Sequence, residues 1–176
     1  MIRRDYDAAI KMLRAAVANP APTIGYHVGE YRYLLAWSYQ LAGDAAAARA
    51  EYEAARDAME ILLKAQPDTP ELFMYLGLTY AGLGDRPAAL RAAEATIALR
   101  PASSDHSTGP GFEENRARVH AQLGDADAAI SEIAQLLTTN YLGPERVILT
   151  PASLRLDPIW DPIRADPRFR ALSQTH

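Results

Sequence analysis

The side chains with potential for chemistry are few and scattered along the sequence. There are four histidines, His27, His106, His120 and His176, and no cysteine. Without cysteine the chain has no disulfide, no thiolate nucleophile and no Cys-ligated metal site. The histidines form neither an HExxH nor a His-x-His pair, so a metal site would need ligands from distant parts of the chain. We therefore predict no metal ion and no cofactor.

Two segments imitate functional motifs. The stretch SSDHSTGPG at 103–111 contains Asp105 and His106, on which an enzyme would have to build its site, but adjacent residues point in different directions. We interpret it as a linker inserted between two of the helix hairpins that are derived below. The alternative is that this loop contacts a ligand. Three glycines within 77–84 suggest a phosphate-binding loop, yet they lie within and at the end of a predicted helix with no strand before it. The sequence therefore predicts a protein that is not an enzyme.

Composition excludes further classes of function. The chain has 18 Lys and Arg against 22 Asp and Glu, a formal net charge of -4, and a pI near 5.5. Nucleic acid is not expected as a partner, because binding to phosphates needs clustered cations. No apolar run approaches the roughly 20 residues of a membrane-spanning helix. The start MIRRDYDAAI is charged at once, unlike a secretory signal. We expect a cytoplasmic protein without membrane insertion.

The elements that position these side chains follow a repeat. Gly-Asp steps occur at 43–44, 84–85 and 124–125, about 40 residues apart. An aromatic residue or histidine lies four residues before each glycine, and an alanine lies four residues after each aspartate. These residues are Tyr39, Tyr80 and His120, followed by Ala48, Ala89 and Ala129.

Each step predicts a helix hairpin. Glycine takes the left-handed conformation at the end of one helix, and aspartate caps the next. Small residues at Ala36, Gly77 and Ala117 let the two helices of each hairpin approach closely. Because neither helix can bury its apolar stripe alone, neighbouring hairpins must stack into a solenoid.

These residues resemble the tetratricopeptide repeat. The best match is the 34-residue segment Pro70–Ser103, in which signature positions are filled by Leu76, Gly77, Tyr80, Gly84, Ala89 and Pro101. The first unit departs from the pattern through a longer second helix. The third departs from it because His120 replaces the usual tyrosine and no proline closes the unit. The resemblance implies an all-α protein, a right-handed α-solenoid of helix hairpins with a short-helix cap.

The predicted organisation is a single domain over 1–176 with five parts. The first part resembles the second helix of a hairpin that lacks its first helix. The last hairpin is degenerate. The parts are an orphan helix at 2–19, hairpins at 24–67, 69–101 and 111–140, and a capping tail at 144–176.

The tail contains three Asp-Pro pairs, at 157–158, 161–162 and 166–167. Each combines a capping aspartate with a proline suited to the first turn, which predicts short helices. Their apolar residues are expected to cover the last hairpin. These are Leu154, Leu156, Ile159, Trp160, Ile163, Phe169 and Leu172.

The string LRLDPIWDPIRADPRFRAL is also similar to the ends of bacterial multidomain signalling proteins that carry a kinase, cyclase or winged-helix domain. This resemblance implies an alternative, in which the chain is the regulatory C-terminal region of such a protein.

The concave face of the array is the predicted binding groove. Helical spacing places on it residues from the first helix of each hairpin. They are Glu30, Tyr33, Trp37, Gln40 and Leu41, then Glu71, Met74 and Leu78, then Glu114, Arg118 and Gln122. Tyr33 and Trp37 supply rigid apolar area, and Arg118 is suited to hold a carboxylate. The alternative for Trp37 is packing against the preceding helix at Leu13 or Val17.

The function predicted from these features is a scaffold that presents a groove to a peptide, helix or domain of a protein partner. The identity of that partner is left open, because fold does not imply function. Besides the regulatory-region alternative, a third hypothesis is self-association. The orphan helix carries an apolar stripe that could pair across a two-fold axis to form a homodimer. The stripe consists of Tyr6, Ile10, Leu13 and Val17.

Overall fold

A computed structural model describes residues 5–19, 27–141 and 149–174. The parts of the predicted elements at 2–4, 24–26, 144–148 and 175–176, including His176, lie outside the described residues. These residues form helices in the order α1 Tyr6–Ala18, α2 His27–Ala42, α3 Ala45–Ala65, α4 Pro70–Leu83, α5 Arg86–Leu99, α6 Gly109–Gln122, α7 Ala126–Leu136, α8 Pro151–Leu156, a 3₁₀ segment Pro158–Ile163, and α9 Pro167–Gln174.

The helices pair into hairpins that stack on one another. Helix α2 packs on α3, α4 on α5, and α6 on α7, while α3 contacts α4 and α5 contacts α6 across successive hairpins. The turns within the hairpins place Gly43, Gly84 and Gly124 at φ of 86°, 80° and 73°. The predicted left-handed glycines are therefore confirmed. So is the all-α array of stacked helix pairs, which is consistent with a tetratricopeptide solenoid.

Aspartate caps two of the three second helices as predicted. The Asp44 carboxylate accepts a hydrogen bond from the Ala47 amide at 3.0 Å, and the Asp85 carboxylate accepts one from Ala88 at 3.0 Å. The Asp125 side chain makes no such cap, which differs from the prediction. It accepts a hydrogen bond from Arg86 at 2.5 Å instead, because the preceding hairpin places that guanidinium beside it.

We predict that Asp85→Ala lowers the free energy of unfolding by about 1 kcal/mol, because an amide at the start of α5 loses its acceptor. Urea denaturation of the full chain measures this change. The control is Asp57→Ala, which alters an exposed carboxylate within α3. Equal losses of stability in the two variants would contradict a capping role for Asp85.

Small residues lie at the contacts between paired helices. Ala36, Ala48, Ala89 and Ala117 are buried. A Cβ atom added at Gly77 would lie 3.4 Å from the carbonyl oxygen of Ala89, so α4 and α5 approach at backbone distance. The predicted close contact within the hairpins is confirmed.

Helix α1 packs against α2 and turns part of its apolar stripe inward. Leu13 is buried, while Tyr6, Ile10 and Val17 are half-buried. Met12, which lies outside the stripe, is 67% exposed. Much of the stripe predicted to mediate a homodimer is thus covered within one chain.

The C-terminal segment, defined as α8, the 3₁₀ segment and α9, closes the array. Its 3₁₀ segment contacts α6, and α9 contacts α7. Asp157 caps the 3₁₀ segment by accepting from the Ile159 amide at 3.0 Å, and Asp166 accepts from the Arg168 amide at 2.8 Å beside the start of α9. The middle Asp-Pro pair does not start a helix, because Pro162 lies inside the 3₁₀ segment.

Most of the apolar residues of the C-terminal segment are covered, as expected for a cap. The fully or almost fully buried ones are Leu154, Ile159, Trp160, Ile163 and Phe169. Leu156 differs from the prediction, since it is 48% exposed at the end of the short α8. None of the helices in the described part of the chain has the length and apolar character needed to cross a membrane.

Candidate protein-binding groove

Helices α2, α4 and α6, the first helices of the three hairpins, share one face. A small cavity of about 20 Å³ is enclosed by residues from all three helices and by Ile159 of the 3₁₀ segment. We call this common surface the inner face. It includes Tyr33, Leu34, Trp37, Met74, Tyr75, Leu78, Asn115 and Arg118. The C-terminal segment therefore reaches the inner face and lies over its α6 end.

A larger cleft of about 270 Å³ opens between α2 and the 3₁₀ segment. Trp37, Gln40 and Leu41 of α2 form one wall, and Gln122 of α6 adds a fourth predicted groove residue. The opposite wall is made by Pro158, Ile159, Asp161 and Pro162. The structure thus brings together four of the residues that the sequence assigned to the groove, and we refer to this space as the cleft.

The cleft combines apolar walls with oxygen acceptors. The ring of Trp37 is half-buried and packs against the hydrophobic core while it lines the cleft. The Gln40 side-chain oxygen accepts a hydrogen bond from the Tyr52 hydroxyl at 2.7 Å, which fixes its position. Asp161 accepts from Nε of Arg164 at 2.7 Å. The side-chain oxygen of Gln122 is buried and has no hydrogen-bond partner among the described residues.

A buried polar cluster attaches the C-terminal part of the chain to α6. Glu114 is 1% exposed, and its Oε1 accepts from Nε and Nη2 of Arg118 at 3.0 and 2.6 Å. Its Oε2 accepts from the Tyr141 hydroxyl at 2.7 Å, and burial raises the pKa of Tyr141. The Arg118 guanidinium lies 5.9 Å from the ring centre of Trp160. We call these four residues the Glu114 cluster.

This cluster changes the roles expected for two groove residues. Glu114 and Arg118 were predicted to face an open groove, but the structure places them beneath the C-terminal segment. The Arg118 guanidinium is already held by Glu114, and its Nη1 lies 3.8 Å from Asp157. The carboxylate that Arg118 holds is thus one from its own chain.

The other predicted groove residues lie either in the core or at the first turns of α2 and α4. Tyr33, Met74 and Leu78 line the small cavity but are 3%, 5% and 5% exposed, so they contribute mainly to packing. Glu30 accepts from the Tyr75 hydroxyl at 2.9 Å and lies 2.8 Å from Nδ1 of His27. Glu71 is half-buried in the first turn of α4.

Family models match most of the hairpin region. A tetratricopeptide repeat model matches 3–58 and 41–106, and these matches together span more than half of the chain. The chain belongs to the tetratricopeptide repeat family. A second tetratricopeptide repeat model matches 111–135, which supports the degenerate third hairpin as a member of the array.

Tetratricopeptide repeats are in general modules for protein–protein interaction. The matches to the repeat begin at residue 3, so they include α1, and they end before the C-terminal segment. The similarity of that segment to the ends of bacterial signalling proteins stays a hypothesis. Neither the curated proteins nor the solved structures yield a significant match to this chain.

Two of the histidines, His27 and His120, take part in local contacts. His120 has Nδ1 3.3 Å from Asp125 and Nε2 4.0 Å from Glu132, so it packs between α6 and α7. Asp105 accepts from the Thr108 side chain and backbone, which lowers the pKa of Asp105, and His106 beside it is exposed. Within 5–19, 27–141 and 149–174, no group of three or more potential ligands is arranged to hold a metal ion.

Sequence reasoning did not identify the second wall of the cleft. Pro158, Ile159, Asp161 and Pro162 were assigned to a cap and not to the groove. Their Asp-Pro spacing does signal a tight, rigid segment. It carries no information about which face of the array that segment covers.

Proposed function

We propose that this tetratricopeptide repeat protein is a non-catalytic scaffold whose inner face binds a peptide, helix or domain of a protein partner at the cleft. The observation that carries the proposal is the cleft itself, where α2, α6 and the 3₁₀ segment bring Trp37, Leu41, Gln122 and Ile159 together. Interface anchors are commonly aromatic side chains in rigid, partly apolar surroundings.

The cleft has room for side chains of a larger ligand. Its volume of about 270 Å³ lies near the small end of the roughly 300–1,000 Å³ that is typical of ligand pockets. One or two side chains of a peptide or helix fit in this space. Since the C-terminal segment covers the α6 end of the inner face, such a ligand approaches along α2 and α4.

We predict that Leu41→Arg reduces partner capture by roughly tenfold or more, because a charged, longer side chain enters the wall of the cleft. Affinity capture from lysate of the source organism, quantified by mass spectrometry, compares the variant with the wild-type chain. Circular dichroism and thermal unfolding verify that the variant is folded.

The matched control is Ile61→Arg, the same kind of exchange at a residue of α3 that is 65% exposed. It is expected to retain the proteins that the wild-type chain captures. If Leu41→Arg captures the same proteins in the same amounts as the control, the cleft is not the binding surface.

A further inference from the structure

We propose that helix α1 binds a helix of a partner protein, which completes a tetratricopeptide hairpin with it. The partner helix resembles the first helices α2, α4 and α6: it lies antiparallel to α1 and carries a small residue flanked by apolar ones. This surface is separate from the cleft, so the inference goes beyond the proposed function. It is carried by a comparison of α1 with the second helices α3, α5 and α7.

Helix α1 begins in the same way as the second helices of the hairpins. Its Asp5 carboxylate accepts a hydrogen bond from the Ala8 amide at 3.1 Å, as Asp44 and Asp85 accept from the amides three residues further on. The match to the tetratricopeptide repeat includes α1. Helix α1 also packs against α2 as α3 packs against α4, which is the contact between successive hairpins. It is therefore the second helix of an incomplete hairpin.

In the complete hairpins, the first helix covers one face of the second helix. Counted from the aspartate that precedes each second helix, this face includes positions four, seven and eleven, which share one side by helical spacing. The residues at positions four and eleven are buried in all three hairpins. At position seven, Glu51 accepts from Arg32 and Glu132 accepts from Arg116, each at 2.8 Å from its own first helix. The third residue at position seven, Ala92, is 6% exposed. The residues at positions four and eleven are Ala48, Ala89, Ala129, Ala55, Thr96 and Leu136.

The corresponding face of α1 is open. Position seven is Met12, which is 67% exposed, and positions four and eleven are Ala9 and Ala16, which are only half-buried. We call these three residues the open face. In the part of the chain that the structure describes, α2 is the one helix that packs extensively on α1. The open face thus continues the interface found within the hairpins, but without the first helix that covers it there.

The hairpins also show which kind of helix fits the open face. A Cβ atom added at Gly77 would lie 3.4 Å from the carbonyl oxygen of Ala89, the residue that corresponds to Ala9. A partner helix with glycine or alanine at the place of Gly77 can therefore approach α1 at backbone distance. Met12 stands where two hairpins have a glutamate paired with arginine, so the partner needs an apolar residue there. Methionine is flexible and adapts to the shape of such a residue.

A second copy of the chain is less suited to this role than a partner protein. Its first helices are already paired within their own hairpins, where Ala36, Gly77 and Ala117 are buried. Among the described residues, a second copy therefore has no first helix to offer. It could present only its own α1, and the test distinguishes this case.

The test measures binding of a helical probe to the full chain. The probe is a synthetic peptide of residues 69–83 in which a hydrocarbon link replaces Met74 and Leu78, two side chains of the inner face. Circular dichroism verifies that it is helical. One readout is the Met12 methyl resonance in NMR, assigned with Met12→Leu, and the other is oxidation of Met12 by peroxide, located by mass spectrometry. We expect a Kd on the order of 0.1 mM and roughly fivefold slower oxidation of Met12 at saturation.

Matched variants test the contact from both sides. The same peptide with Gly77→Leu is expected to bind about tenfold more weakly, because leucine does not fit at backbone distance. Met12→Arg in the chain is expected to weaken binding by a similar factor. Ile61→Arg, the same kind of exchange at an exposed residue of α3, is the control and should leave binding unchanged. Thermal unfolding checks that each variant keeps its fold.

A fusion tests the same fit without the cost of bringing two molecules together. A copy of residues 69–85 replaces residues 1–5, so that the copied Gly84-Asp85 turn leads directly into α1. We expect the midpoint of thermal unfolding to rise by about 5 °C, and Gly77→Leu in the copy should cancel the rise.

Three outcomes would overturn the proposal. The first is a fusion that gains no thermal stability. The second is equal binding of the peptide and its Gly77→Leu form, because the contact would then not resemble a hairpin. The third is oxidation of Met12 that slows as the concentration of the chain alone is raised, with a dimer in analytical ultracentrifugation, which would assign the open face to a second copy. The cleft is judged separately by Leu41→Arg, which lies outside the open face.

Discussion

Arg118→Met should lower the free energy of unfolding by about 3–4 kcal/mol, because it leaves the buried Glu114 carboxylate without its cation. Glu114 is 1% exposed and would keep only the Tyr141 hydroxyl among the hydrogen-bond donors of the Glu114 cluster. The change also removes the guanidinium beside the Trp160 ring. We therefore expect the C-terminal segment to detach more readily from α6.

Urea denaturation measures the loss of stability, and limited proteolysis measures exposure of the C-terminal segment. The matched control is Arg49→Met, because Arg49 and Glu53 form an i,i+4 pair with 71% and 43% exposed side chains. Such surface pairs contribute about 0–1 kcal/mol. The double variant Glu114→Gln, Arg118→Met should recover part of the loss, since no unpaired charge remains. Equal effects at the two arginines would contradict the role of burial.

The hairpins could be predicted because local chemistry determines their turns. A left-handed residue at the end of a helix strongly favours glycine, and the following aspartate is suited to start the next helix. The repetition of Gly43-Asp44 and Gly84-Asp85 at a fixed interval therefore specifies the helix boundaries and the pairing. Asp125 accepts a hydrogen bond from Arg86 and does not cap α7. This could not be predicted, because Arg86 belongs to another hairpin and the local sequence carries no sign of the contact.

Only some of the residues that line the cleft could be predicted from the sequence. Helical spacing places Trp37, Leu41 and Gln122 on the first helices and towards one face. The same spacing does not separate residues that line a cleft from those between packed helices, so Tyr33 was assigned to the groove although it packs against Tyr52 and Tyr75. The position of the 3₁₀ segment depends on burial of Trp160 over α6, which is a long-range contact.

Gly82→Ala should destabilise the protein by about 2–3 kcal/mol, because the added methyl group overlaps a buried ring. A Cβ atom at residue 82 would lie 2.4 Å from Cζ of Tyr52 and 2.7 Å from two further ring atoms. The ring is 1% exposed and its hydroxyl is bonded to Gln40, so it cannot move aside freely. The expected free-energy cost of this overlap is larger than the roughly 1 kcal/mol by which alanine is favoured over glycine within a helix.

Gly77→Ala provides the matched control on the same helix. Its added Cβ atom would meet a Val119 methyl group at 3.3 Å and the Ala89 carbonyl oxygen at 3.4 Å, so we expect a change within about 1 kcal/mol. Because Tyr52 also positions Gln40 beside the cleft, Gly82→Ala should weaken capture of the partner protein, whereas Gly77→Ala should not. Urea denaturation and affinity capture measure the two effects. An increase in stability on Gly82→Ala would show that α4 does not pack tightly against the Tyr52 ring. Unchanged binding would show that the position of Tyr52 does not affect the cleft.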